Sequence, residues 1–313
     1  MDWKPSFFAF AILAAVTCAE IQAAEPAAAF QPASPVRGEG VYARNCAACH
    51  GGKGDGLGPA APYLKPLPRD FTAGMYKFRS TPSGELPTDS DLLRIVNEGI
   101  PGTQMPGWKS LLTPQERLDV VAYIKIFSPD FKDGAPPPLS IAEPPPAGEE
   151  VLREGRFLYM LMECWACHGG QGKGNGQSAK TLKDDWGEKI RPWDLTRPSY
   201  KGGRDPQSIY RSISTGLNGT PMPAYADDGF LVPGDAALDP EKFKEAYAEA
   251  EIISLQAWLR GQPSESSLGN LPEDKRSQLA ESRKWALAHY VGSLSRRPNF
   301  LVRLFTENTE ETP

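Results

Sequence analysis

Two short strings hold most of the reactive side chains in this chain: Cys46-Ala47-Ala48-Cys49-His50 and Cys164-Trp165-Ala166-Cys167-His168. Each has the C-x-x-C-H spacing of c-type haem attachment. Two thiols on one helical turn reach the two vinyl groups of a haem. The next residue, His50 or His168, then turns its ring onto the iron from the same side. Four of the five cysteines and two of the three histidines are spent on these strings. A zinc site needs two more ligands beside each cysteine pair. Once a leader containing Cys18 is removed, only His289 is left to supply them. A redox dithiol has no use for a His after each second Cys. The expected cofactor is therefore two covalently bound haem c, anchored by Cys46, Cys49, Cys164 and Cys167.

Each iron also needs a partner opposite its His, or it stays open for chemistry. After Met1 the methionines are Met75, Met105, Met160, Met162 and Met222. Met105 and Met222 both sit in a Gly-Thr-x-Met-Pro string. Proline biases the residue before it to extended backbone, which suits a loop that lays a thioether against iron. The expected axial pairs are His50 with Met105 and His168 with Met222. Met75 has no counterpart, and core filling is expected for Met160 and Met162. Met/His ligation raises the potential of a c-type haem, and a saturated iron favours electron transfer over catalysis. Trp108 and Tyr225 follow the two Met residues at equal spacing and are candidates to pack on a haem or reach a propionate. Arg94 and Arg211 match each other as candidate propionate partners, with a solvated helix face as the alternative. The carbonyl of Pro59, or of Gln177 in the second copy, is placed to fix the His tautomer.

These pairings come from an internal repeat, the feature that sets architecture first. Sliding the chain so that His50 falls on His168 aligns two glycine-rich runs, His50-Gly51-Gly52-Lys53-Gly54 and His168-Gly169-Gly170-Gln171-Gly172. Further on, Asp70-Phe71-Thr72 faces Asp194-Leu195-Thr196, and the two Met strings follow. The reading is one domain present twice, at residues 35–133 and 149–298. Residues 134–148 join the copies and contain Pro136, Pro137, Pro138, Pro144, Pro145 and Pro146, which makes a semi-rigid extended spacer.

The expected fold class is all-α: one haem domain present twice in tandem, with long loops, joined by this Pro-rich linker. Thr113-Pro114-Gln115-Glu116 is a capping box with Pro at the first helical position. A second helix starts at Thr88 or Ser90 and stops at Gly99. Its counterpart runs from Asp205-Pro206 to Gly216. The last helix is expected near Arg283 to Leu294. Residues 226–282 form an insertion absent from the first copy, with an amphipathic helix near Pro240 to Leu259.

The N-terminus reads as a secretory signal over residues 1–23. Lys4 precedes an apolar run from Phe7 to Cys18, and Ile21-Gln22-Ala23 offers a cleavage site before Ala24. The run is short for a membrane span, and an uncleaved anchor is the alternative. A net charge of −5 argues against nucleic acid, which selects basic surfaces. The expected location is the periplasm, with membrane association left open.

The pattern resembles the class I c-type cytochromes, over nearly everything after residue 35. In that class an N-terminal helix leading into C-x-x-C-H is crossed by the C-terminal helix. Gly40-Val41-Tyr42 with Tyr123 fits that crossing, and Gly155-Arg156-Phe157 with Tyr290 is the proposed counterpart. Arg69-Asp70-Phe71-Thr72 and Tyr76-Lys77-Phe78-Arg79 look like di-haem cytochromes that accompany anaerobic or nitrogen-oxide respiratory complexes. The resemblance implies a carrier, or an electron-transfer subunit of an oxidoreductase, working between redox protein partners. The alternative is a di-haem enzyme of peroxidase or thiosulfate dehydrogenase type. A peroxidase needs one open iron, and the thiosulfate enzymes typically use a distal Cys that is not left over here. A third reading makes the chain an anchored subunit that docks through the insertion or the tail, residues 299–313. Packing of those segments on the chain's own domains is its plainer alternative.

Overall fold

The computed structural model describes Met1 and residues 31–295. Of the signal segment, residues 1–23, only Met1 is described, and the tail, residues 299–313, lies outside the described residues. Among those described there is no strand, only one isolated bridge between Lys183 and Lys189. The fold is all-α with long loops, as the sequence predicts.

The first half is built from α1 (Pro35–Asn45), α2 (Ala47–His50), α3 (Asp89–Glu98) and α4 (Pro114–Lys125). The second half holds α5 (Glu149–Leu161), α6 (Cys164–His168), α7 (Pro206–Thr215), α8 (Glu249–Arg260), α9 (Glu265–Gly269) and α10 (Glu273–Ser293). The short-range signals decide where the helices begin. Thr88 caps α3 in a reciprocal box with Asp91, and Thr113 caps α4 in the same way with Glu116. Asp205 caps α7 ahead of Pro206, and α3 and α7 stop at Gly99 and Gly216.

Two hydrophobic clusters form. One joins Val41, Tyr42, Phe71, Leu92, Val120 and Ile124. The larger joins Phe157, Tyr159, Trp165, Ile209, Leu255 and Tyr290 with their neighbours. In each, the helix before the C-x-x-C-H string crosses the last helix of its half at a glycine. A Cβ on Gly38 would stand 2.0 Å from the Asp119 carbonyl oxygen, and one on Gly155 would stand 2.1 Å from that of Ala286. Tyr42 lies on Tyr123 at 5.3 Å between ring centroids, and Tyr159 on Tyr290 at 5.4 Å. This corrects the expected register. The crossing residues are Gly38 with Tyr42 and Gly155 with Tyr159, not Gly40 and Phe157. Gly40 sits two residues along the helix, which turns it off the contact face. The nearest atom to a Cβ there is the mobile tip of Arg44.

The insertion also differs from expectation. The helix predicted over Pro240 to Leu259 is broken into a 3-10 turn, Pro240–Phe243, and α8. Between them the chain passes so close to Gly170 that a Cβ there would lie 2.4 Å from the Ala246 carbonyl oxygen. Phe243 and Tyr247 both pack on Trp165, at 6.0 and 6.1 Å between ring centroids. The insertion packs on its own half: Phe230, Ile252, Leu255 and Leu259 are buried in the larger cluster. Buried Arg156 pairs with Glu251 at 2.6 Å, and Arg283 donates to the Phe230 carbonyl at 2.8 Å. The last helix starts ten residues earlier than Arg283, at Glu273, where Glu273 and Asp274 complement the helix dipole.

Residues 134–148 have no regular structure, and they are bonded to both halves. The Leu139 amide donates to the Ser80 carbonyl at 2.8 Å. Gln207 donates to the Ala142 carbonyl at 3.3 Å, and His289 Nε2 lies 2.8 Å from the Pro145 carbonyl oxygen. His289, the third histidine, thus holds the linker. Among the described residues no helix is long and apolar enough to cross a membrane.

Candidate functional site

The two C-x-x-C-H strings form the short helices α2 and α6 at matching places. Each ends where the backbone turns left-handed, at Gly51 (φ 77°) and Gly169 (φ 78°), a conformation that favours glycine. A tyrosine from the crossing helix holds each turn: Tyr42 Oη donates to the Gly51 carbonyl and Tyr159 Oη to that of Gly169, both at 2.8 Å. Sequence reasoning missed Tyr159, which the correct alignment of the two glycines would have shown.

The four thiols are half-buried. Burial pushes Cys46 and Cys164 up to about 12.

Each imidazole is clamped by a backbone carbonyl. His50 Nδ1 lies 2.9 Å from the Arg69 oxygen, and His168 Nδ1 lies 3.1 Å from the Trp193 oxygen. A carbonyl only accepts, so Nδ1 carries the proton and Nε2 keeps its lone pair. Burial lowers the pKa of both histidines and keeps them neutral. A neutral imidazole with Nδ1 tied to a carbonyl is the ligating form. The expected clamps, Pro59 and Gln177, do not hold this position. Arg69 and Trp193 instead precede the repeated Asp-x-Thr. There Asp70 Oδ1 accepts from the Thr72 amide at 2.8 Å and Asp194 Oδ1 from the Thr196 amide at 3.0 Å. These turns aim the carbonyls. The neighbours differ: Phe71 stacks on His50 at 4.5 Å, where the second half has Leu195.

The two Met loops are superimposable in their bonding. The Ile100 amide donates to the Met105 carbonyl at 3.0 Å, and the Leu217 amide to that of Met222 at 3.1 Å. The Met105 and Met222 amides donate to Thr103 Oγ1 and Thr220 Oγ1, each at 3.2 Å. The Trp108 amide returns to Val96 and the Tyr225 amide to Ile213, at 2.8 and 2.9 Å. Both loops are therefore anchored on the helix before them. Met160 is fully buried core, and Met162 packs against the same cluster.

Polar atoms buried without a partner test whether a haem fits. Trp108 Nε1 and Tyr76 Oη are two such atoms in the first half. An orphaned buried donor is costly, and a haem carboxylate is the kind of acceptor that would satisfy it. The paired half-buried thiols, the imidazoles clamped at Nδ1 and these donors all fit the group. Tyr225 differs from Trp108, since its hydroxyl donates to the Met162 carbonyl at 3.4 Å.

The halves meet along a seam that includes both Met loops. A Cβ on Gly102 would stand 2.4 Å from the Trp193 ring, and one on Gly219 would stand 2.6 Å from Trp186 and 2.9 Å from Met75 Sδ. Arg69 stacks on Trp186 at 4.6 Å. The residue that clamps the His of one half thus packs, directly or through Trp186, on the Met loop of the other.

Helices that cross beside a C-x-x-C-H turn, an imidazole held by a carbonyl and an anchored Met loop are the parts of a c-type cytochrome. The family described as "Cytochrome C oxidase, cbb3-type, subunit III" matches residues 33–124. A chain of the "Kuenenia stuttgartiensis reducing HAO-like protein complex" is similar at 33% sequence identity and a TM-score of 0.64, over 85% of this chain and 98% of that chain. Comparison with curated proteins finds no match. The chain belongs to the c-type cytochromes, and electron transfer through haem is the work of that class.

Proposed function

We propose that the chain is a periplasmic di-haem cytochrome that relays electrons between two redox proteins, one of them a larger oxidoreductase on which it docks. Cys46 and Cys49 tether one haem and Cys164 and Cys167 the other. His50 with Met105 and His168 with Met222 are the axial ligands. The observation that carries this reading is the duplication of the clamp. Both imidazoles present a free Nε2 because a carbonyl from the same Asp-x-Thr turn takes Nδ1. Haem supplies one-electron chemistry when bound. The protein sets its potential through ligand identity, burial and hydrogen bonding.

The similar chain from Kuenenia stuttgartiensis belongs to a complex, which supports a subunit role for this one. The N-terminal residues 1–23 support export, since they have the order of a secretory signal.

A redox titration of the purified holoprotein tests the reading. Two haems per chain, both low-spin with the red sulfur–iron charge-transfer band, are expected. Met105→Ala removes that band from one haem and Met222→Ala from the other, and each lowers the potential of the haem it strips. One haem per chain, or a band that survives in both variants, refutes the assignment. Rapid reoxidation of a high-spin haem by peroxide would turn the relay into an enzyme.

A further inference from the structure

Trp193 touches both sites. Its carbonyl oxygen lies 3.1 Å from His168 Nδ1, in its own half. Its ring reaches across the seam to the Met105 loop. A Cβ on Gly102 would stand 2.4 Å from Trp193 Cη2, so a side chain there would displace the ring. Gly102 is also left-handed, at φ 70°, a conformation that favours glycine. From Gly102 the chain runs straight into Thr103, whose Oγ1 accepts from the Met105 amide at 3.2 Å. One side chain and one contact therefore lead from the His clamp of one half to the Met loop of the other. The ring is held in place. Its Nε1 donates to the Ser199 carbonyl at 2.9 Å, and the residue packs against the larger cluster. Lys201 Nζ and the Arg197 guanidinium stand over it, 4.9 and 5.5 Å from its centroid.

The repeat supplies a comparison. In the first half the carbonyl on His50 belongs to Arg69, at 2.9 Å. Its guanidinium stacks on Trp186 at 4.6 Å, and a Cβ on Gly219 would stand 2.6 Å from the Trp186 ring. Met75 Sδ also lies beside Gly219, but six residues along the chain from Arg69. The route through Trp186 has two gaps between side chains and loop where the Trp193 route has one, and Trp186 is 41% exposed. Electronic coupling falls more steeply across a gap than along covalent and hydrogen bonds, so the Trp193 route is the stronger. The cations over the indole decide how it acts. Positive charge beside the ring disfavours its oxidised, cationic form. The ring therefore transmits coupling without itself giving up an electron. Resting on the di-haem reading above, we propose that Trp193 is the electron bridge between the halves. In each event one haem loses an electron, the other gains it, and the indole ends unchanged.

The experiment reads the rate at which an electron crosses between the haems after partial photoreduction of the holoprotein. Both midpoints and both sulfur–iron charge-transfer bands are measured on the same samples. Trp193→Leu fills much of the indole's place and keeps the carbonyl on His168, but has no ring. Trp193→Phe keeps a shorter ring. At matched driving force a several-fold slower rate is expected in Trp193→Leu, a smaller loss in Trp193→Phe, and a wild-type rate in Trp186→Leu. A wild-type rate in Trp193→Leu overturns the proposal, since haems that exchange by direct approach would not sense the residue. A greater loss in Trp186→Leu than in Trp193→Leu overturns it as well. A packing role alone would move the midpoints, and a slowing that vanishes once driving force is matched would make Trp193 structural and refute the bridge. If Trp193→Leu loses the band of the Met105 haem, the decision passes to Trp193→Phe and Trp186→Leu. A slower rate in Trp193→Phe than in Trp186→Leu then supports the bridge, and equal rates or the reverse order overturn it. Two haems per chain and both bands in the wild type test the di-haem reading itself, so its failure shows before any rate is read.

Discussion

Replacing Gly38 with Ala tests the packing that carries the first C-x-x-C-H turn. Helix propensity alone favours the change by about 1 kcal/mol, since Ala outranks Gly inside a helix. The crossing opposes it. The new Cβ would lie 2.0 Å from the Asp119 carbonyl oxygen and 2.9 Å from Tyr123 Cβ, where ordinary contact begins near 3.4 Å. Neither neighbour is the loose end of a side chain, so α1 and α4 must part by roughly 1 Å or more. Overpacking of this kind costs about 1–3 kcal/mol, occasionally more. It would also draw Tyr42 away from Tyr123 and from the Gly51 carbonyl, the bond that steadies the turn after His50. The net expectation is a loss of about 2 kcal/mol, or about 3 °C in Tm for a chain of this size. Gly40→Ala is the internal control, because the same helix faces only the tip of Arg44 there at 3.3 Å. It should stabilise by about 0.5–1 kcal/mol. Thermal unfolding of the holoproteins, followed by helical circular dichroism, reads both. If Gly38→Ala stabilises as much as Gly40→Ala, the close crossing is wrong. Gly155→Ala repeats the test in the second half, against the Ala286 oxygen at 2.1 Å.

Three more outcomes follow from the same geometry. Trp193→Ala keeps the carbonyl that clamps His168 but removes the ring beside Gly102. The charge-transfer band of the Met105 haem should weaken more than that of the Met222 haem, and the reverse order would break the cross-seam link. Asp70→Ala removes the acceptor of both the Thr72 amide at 2.8 Å and its hydroxyl at 2.6 Å. About 1–2 kcal/mol should be lost in denaturant titration, with the His50 haem disturbed first. Asp119 predicts acid sensitivity. Burial alone would raise its pKa, but the Arg37 guanidinium, the Ser34 amide and Gln115 more than offset that and hold it below the usual carboxylate range. Its stabilisation is therefore present above the unfolded pKa and lost as pH falls through the depressed folded value. Asp119→Asn should flatten the acid limb of the stability curve, and an unchanged limb would remove Asp119 as its source.

What the sequence revealed was what short-range chemistry writes into it. Capping strings marked the starts of α3, α4 and α7, and glycines marked the ends of α3 and α7. The duplicated Met loops were visible because each is a closed local circuit of Thr and backbone atoms. The clamp on each His was not visible, because a carbonyl has no side-chain signature. Its only trace was the repeated Asp-x-Thr, whose first residue follows the clamping carbonyl. The crossing glycine was misplaced because α1 offers both Gly38 and Gly40, and only contact with Asp119 distinguishes them. The broken helix at residues 240–259 kept its apolar pattern, and the segment at the break packs on Gly170 and Trp165, which lie far away in the chain. The seam contacts of Gly102 with Trp193 and of Gly219 with Trp186 are equally remote from any local signal.

Those seam contacts bear on how two tethered haems would exchange electrons. Two domains on a free Pro-rich spacer would meet by diffusion, and exchange would depend on how often they collide. Here the spacer is bonded to Ser80 on one side and to Gln207 and His289 on the other. Arg79 crosses to the Thr215 carbonyl, the Gly84 amide to Asn218, and Lys65 to Glu188 at 3.3 Å. The distance between the sites is then set once, by folding. The asymmetry between the halves is what remains to give electrons a direction. Phe71 against Leu195 and Trp108 against Tyr225 surround the two sites with different polarity and different hydrogen bonds, the levers by which a protein tunes haem potential. A duplicated domain with identical surroundings would hold two equal potentials and no preferred path. Divergence in these second contacts, with the ligands themselves unchanged, is the smallest change that turns a duplicated site into a sequence of steps.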